Sequence, residues 1–212
     1  MKKLVLAALL IIIISFALGI ISYNYLPDKL ASHWGENGQV NGYMPKFWGL
    51  FLMPIISAGM LLLFYFLPKL DPLKENYKKF RVYYDSFILV IILFLFYIYL
   101  LTILWNFHIQ FNMNLALIPA LGFLYIYIGI ILKYLKRNWF IGIRTPWTIS
   151  NEKVWDKTHN LGSTLFKISG VITIIGIFFD DFIIYFVLVP IIVSAITLVI
   201  YSYLIYRKEE KK

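Results

Sequence analysis

Six apolar stretches of about twenty residues each recur along the chain and leave it few ways to fold. They run Leu4–Ser22, Phe47–Leu67, Ser86–Trp105, Leu115–Leu135, Leu161–Phe179 and Phe182–Tyr206. A helix needs about 20 mostly apolar residues to cross the hydrocarbon core of a bilayer. A membrane β-strand would be about ten residues long with alternating polarity, and these runs are longer and unbroken. The expected fold class is therefore all-α: a polytopic integral membrane bundle of six transmembrane helices. Pro54, Pro119 and Pro190 fall inside three of the runs, where each removes a backbone donor and favours a kink. Composition agrees, with 61% hydrophobic and 15% charged residues against about half and a quarter in a soluble domain.

The formal charge of +9 invites a nucleic-acid reading until the basic residues are placed. Two lysines precede the first run, five lysines or arginines lie between the second and third, seven between Lys133 and Lys167, and four follow Tyr206; the first loop holds two and the remaining loops none. Alternate segments thus divide eighteen to two, and this bias sets orientation. It puts both termini in the cytoplasm and reads the charge as a topology signal. The expected location is the cell membrane, multi-pass, with the lipid bilayer as a partner and no direct contact with nucleic acid.

The first run begins with a basic pair and ends in Ala17-Leu18-Gly19, as a signal peptide would, but it exceeds the 7–15 residues usual for a signal core. A retained anchor is the favoured reading and cleavage the alternative. Tyr23, Tyr25, Tyr83, Tyr84, Trp139, Tyr203 and Tyr206 sit near run ends, where amphipathic rings anchor at headgroup level. The chain is read as one membrane domain, 1–212, with a structured extracytoplasmic loop at 23–46 and a cytoplasmic signature loop and helix start at 136–160.

The outer loop contains Pro27, which can open a short helix through about Trp34, followed by the tight-turn pairs Asn37-Gly38 and Asn41-Gly42. His33, Trp34, Glu36 and Tyr43 are its candidate contact residues. With three histidines, no cysteine and no ligand spacing around His33, Glu36 and His108, neither a metal nor a cofactor is expected.

The inner segment holds "RTPWTISNEKVWDKTHNLG", Arg144–Gly162. Thr145 should be extended before Pro146, and a helix is expected from Ser150, whose hydroxyl can cap free amides, with Glu152 in the first turn. From there Trp155, Thr158, His159, Gly162 and Phe166 share one face, and Lys153, Asp156, Lys157 and Asn160 the other. An interfacial helix with aromatic anchors and a snorkelling arginine accounts for part of this. Arg144, Trp147, Trp155 and His159 together also supply donors, stacking faces and a titratable group, a set suited to docking a phosphate, a carboxylate or a protein.

Three functional classes can be weighed. Coupled ion transport usually needs ionisable groups deep in the membrane; here Asp85, Lys133 and Lys167 lie toward run ends and Asp180 and Asp181 in a turn, which leaves export of a small molecule or hydrophobic peptide as the transporter alternative. Hydrolysis would need a nucleophile with a base, a metal or paired carboxylates. Only His159 with Asp156 or Thr158 makes a local set, so no catalytic residue is assigned and the chain is not expected to be an enzyme. The third class is a membrane sensor with one structured loop on each side.

The residues of the two loops favour the third class. "NWFIGIRTPWTISNEKVWDKTHNLG" resembles the C-terminal signature of the SdpI family of membrane immunity proteins. "LPDKLASHWGENGQVNGYMPK" is similar to the extracytoplasmic domain of unknown function that often precedes it there. The resemblance implies a six-helix protein that protects its cell against a secreted antimicrobial peptide or protein toxin met on the outer face. It further implies a sensor role in which a cytoplasmic autorepressor is held at the inner face. Carried over, the partner-binding signature positions are Gly142, Arg144, Thr145, Pro146, Trp147, Thr148, Trp155, Thr158 and His159.

Overall fold

The computed structural model of the chain describes residues 2–35, 37–179 and 182–211. Its long helices are α1 (Lys2–Ser22), α2 (Lys46–Leu70), α3 (Tyr77–Asn106), α4 (Met113–Leu132), α6 (Glu152–Ile175) and α7 (Ile183–Glu210), with one short helix, α5 (Pro146–Ser150). A hairpin of β1 (Lys29–Trp34) and β2 (Val40–Pro45) separates α1 from α2. Among the described residues six helices are long and apolar enough to cross a membrane, as the six runs required. Glu36 and the turn at Asp180–Asp181 lie outside the described residues. The backbone divides into two compact units, Met1–Tyr65 with Ile88–Ala120, and Phe66–Phe87 with Leu121–Lys212.

In the first unit, the segment expected as a short helix after Pro27 is a strand. β1 pairs antiparallel with β2, Lys29 opposite Pro45 and Trp34 opposite Val40, and the register shifts on either side of His33. Tertiary contacts override the local preference. Leu30 packs with Leu26, Leu50, Tyr99 and Ile103, and the buried carboxamide of Asn106 reads the backbone of Ala31 from both sides. Its Oδ1 accepts the Ala31 amide at 2.8 Å, and its Nδ2 donates to the Ala31 carbonyl at 3.1 Å. A side chain thus satisfies buried backbone groups of the strand. Of the two Asn-Gly pairs, the first makes the turn: Gly38 has φ of 72° and its amide bonds the Gly35 carbonyl at 2.9 Å. The second lies within β2, where Gly42 faces His33 at the register shift.

In the second unit, α6 and α7 form a hairpin bonded along its length, with Ser169 to Ser194 at 3.0 Å and Thr173 to the Phe186 carbonyl at 3.2 Å. α4 and α6 meet backbone to backbone: a Cβ on Gly170 would lie 2.5 Å from the Gly122 carbonyl oxygen. α3 opens with a turn broken at Phe80 (φ −127°, ψ 23°). Just beyond the break the wholly buried Asp85 carboxylate is paired with Arg81 at 2.7 Å.

Candidate functional site: a polar node beside α6

The signature segment lies wholly in the second unit, where the chain leaves α4 and must reach α6 without regular structure. Backbone groups there still need partners, and two buried acidic or amide side chains provide them. Asn138 accepts from the amides of Phe140 (3.0 Å) and Ile141 (2.7 Å) and from the Tyr77 hydroxyl (3.3 Å), and donates to the carbonyls of Lys136 and Ile141, both at 2.9 Å. Asp71, just past α2, accepts the amides of Leu73 at 2.7 Å and Trp139 at 2.9 Å. Asn76 adds a bond from Nδ2 to the Arg137 carbonyl at 2.8 Å.

The next turn is built around His159. Gly142 has φ of 112°, a conformation that L side chains avoid, and a Cβ there would sit 2.5 Å from His159 Nε2. That nitrogen accepts the Ile143 amide at 3.0 Å, while Nδ1 bonds the Trp155 carbonyl at 2.9 Å. An imidazole that accepts at one nitrogen and donates at the other is in its neutral form. Its ring stacks on Trp155 at 4.0 Å and 19°, and Trp155 Nε1 donates to the Leu135 carbonyl at 2.9 Å. Trp155 is 0% and His159 1% exposed, so both serve the interior of the fold.

Beyond Arg144 the extended Thr145 (φ −108°, ψ 162°) caps α5, its hydroxyl accepting the Thr148 amide while the Thr148 hydroxyl accepts the Thr145 amide. Thr145 also donates to Ser202 of α7 at 3.0 Å. The helix expected from Ser150 therefore divides in two. Pro146–Ser150 is a single capped turn, the Ser150 hydroxyl turns back to the Pro146 carbonyl, and α6 starts at Glu152 with Asn151 accepting the amides of Lys153 and Val154. Asn151 caps better here because its own backbone is extended (φ −137°, ψ 122°), as a cap position requires. Of the expected apolar face of α6, Trp155, Thr158, His159 and Gly162 are buried and Phe166 is half-buried, while Lys153, Asp156, Lys157 and Asn160 are exposed.

The nine signature positions therefore divide by depth. Thr145, Thr148, Trp155, Thr158 and His159 are buried; Gly142 and Trp147 are half-buried, Trp147 tilted against Tyr203 at 5.1 Å. Arg144 and Pro146 are exposed. Arg144 donates one Nη1 bond to the Trp139 backbone carbonyl at 2.8 Å, and Trp139 itself is 49% exposed. A cation and an indole at the rim of a rigid turn make a surface suited to an anion or a protein. In the other unit, His33 bonds Asn41, Trp34 meets Trp105 edge-on at 5.9 Å and Tyr43 is 62% exposed; the fourth contact residue, Glu36, is outside the described residues. Sequence reasoning did not find Asp71, Asn138 or Asn106. A short polar side chain at a span end beside a proline or an irregular stretch was the available signal.

The fold and the node define a multi-pass cell-membrane protein with six candidate spanning helices among the described residues and one structured loop module in each half of its sequence. Residues 134–202 match the family described as SdpI/YfhL protein family, and residues 10–58 match the one described as Domain of unknown function (DUF1648). Both halves of the resemblance read from the sequence are thus borne out, and the first match encloses all nine signature positions. The chain is 27% identical over 209 residues, 98% of each protein, to the Immunity protein SdpI of Bacillus subtilis (strain 168). No solved structure gives a significant match.

Proposed function

We propose that this chain is a membrane immunity protein that protects its cell against a secreted antimicrobial peptide or protein toxin. The observation that carries the reading is the coincidence of the SdpI/YfhL match with the buried node, joined to near full-length similarity to a protein named for immunity. In this reading the buried signature residues hold a turn rigid, and Arg144 with Trp139 is the part that meets a partner. The charge bias of the loops supports a cytoplasmic turn, where a repressor held at the membrane would dock, and an outer hairpin, where toxin would arrive. Rigidity matters because a preformed surface loses less conformational freedom on binding.

The test is protection. A toxin-sensitive bacterial host expressing the chain is challenged with a panel of secreted antimicrobial peptides, and survival is compared with that of an empty-vector strain. The proposal expects selective survival against at least one toxin. Equal sensitivity across the panel, with the protein present in the membrane, contradicts it.

A further inference from the structure

Within the first unit, the hairpin turn and the α3–α4 connection enclose an open cavity of about 550 Å³, within the range of small-molecule sites. Its walls are held by helix-end chemistry. α3 ends with His108 in the left-handed region (φ 65°), the His108 amide bonding the Trp105 carbonyl and the Ile109 amide the Leu104 carbonyl. This is the paired bonding of a Schellman cap. Four residues on, Asn112 Oδ1 accepts the amides of Asn114 and Leu115 and so starts α4. Gln110 and Phe111 are thus fixed between two caps. Gly38 brings the hairpin turn against this connection, since a Cβ there would lie 2.4 Å from Asn112 Oδ1, and Asn114 Nδ2 reaches the Gly35 carbonyl at 3.3 Å.

The lining has an unusual balance. Asn37, Gln39, Gln110 and Asn112 line it together with Tyr43, Trp105 and Phe111, and no acid, lysine, arginine or histidine does so among the described residues. The Gln39 and Gln110 carboxamides hydrogen-bond to no other described residue. Asn37 Oδ1 is taken by the Gln39 amide and Asn112 Oδ1 by the start of α4, but the Gln39 and Gln110 carboxamides each offer a donor pair and an acceptor, the match for vicinal hydroxyls, and aromatic faces accept the C–H face of a sugar ring. Among the described residues of the lining an ionic ligand would find no counter-charge, and a fully apolar one would leave the Gln39 and Gln110 carboxamides without partners. We propose that this cavity binds a neutral saccharide, a further function beyond toxin protection.

The test uses the full chain in lipid nanodiscs, free of sugar-based detergent, titrated calorimetrically with N-acetylglucosamine tetramer, maltotetraose and, as the peptide probe, tetraglycine amide. The proposal expects saturable binding of at least one saccharide, weakened at least tenfold in Gln39→Ala/Gln110→Ala, whose two side chains bond to nothing else described. Wild-type-like proteolysis patterns in that variant exclude unfolding as the cause, and Tyr43→Ala offers a second, exposed lesion with the same expected loss. No saccharide binding up to about 10 mM, a limit corresponding to roughly 3 kcal/mol of affinity, overturns the inference. So does binding that both variants leave intact, or binding of the peptide probe alone.

Discussion

The imidazole of His159 bridges two elements of the chain, taking the amide of Ile143 at Nε2 (3.0 Å) and giving Nδ1–H to the carbonyl of Trp155 (2.9 Å). One side chain on α6 thereby closes the turn that positions Arg144. Removing it as His159→Ala leaves the part-buried Ile143 amide without its partner and a hole beside Trp155. A loss of about 1–3 kcal/mol is expected for the unsatisfied donor, with more for the lost stacking. Chemical denaturation of the purified protein in detergent measures it, and a midpoint equal to wild type would show the bond to be dispensable.

Gly142→Ala meets two obstacles at once. The φ of 112° is strained for alanine, at a cost of about 1–3 kcal/mol, and the new methyl lands 2.5 Å from His159 Nε2. The expected outcome is a less stable protein that accumulates poorly and gives faster amide exchange at Ile143.

Asn106→Leu tests the hairpin. The variant keeps volume but strips both bonds from Ala31, so hydrogen exchange should accelerate at Ala31 and neighbouring β1 amides while α6 and α7 keep their protection. Unchanged exchange at Ala31 would mean the hairpin is held by Leu30 alone.

How far the sequence reveals this arrangement depends on the range of the interaction involved. The six helices were legible because length and apolar content decide a membrane span locally. The extended Thr145 before Pro146 and the buried face of α6 were legible for the same reason, since proline geometry and helical spacing act over a few residues. β1 was not: Lys29–Trp34 is a strand through distant partners, with β2 pairing along it, Leu30 packed in the core and Asn106, 75 residues away, bonded to Ala31. Asn138 and Asp71 were hidden likewise, their partners Tyr77 and Trp139 lying 61 and 68 residues off. The signature was visible as a motif, but its depth was not. Rare residue types look alike in sequence whether they face a partner, as Arg144 does, or the interior, as Trp155 does.

Orientation rests on the lysine and arginine bias and has its own check. The chain has no cysteine, so single cysteines can be introduced cleanly. Asn41→Cys in β2 should react with a membrane-impermeant maleimide in intact cells, and Asn160→Cys on the exposed face of α6 should react only after lysis. The reverse pattern would invert the protein.

The division between scaffold and surface is tested most directly by pairing Arg144→Ala with Trp155→Ala and measuring both thermal stability and toxin protection. Trp155 is wholly buried, so its truncation should cost about 3–5 kcal/mol and remove protein and protection together. Arg144→Ala should melt as wild type does and accumulate normally, yet fail to protect. An Arg144→Ala protein that protects fully would contradict the account, because the exposed cation would then have no part in what the node is built to present.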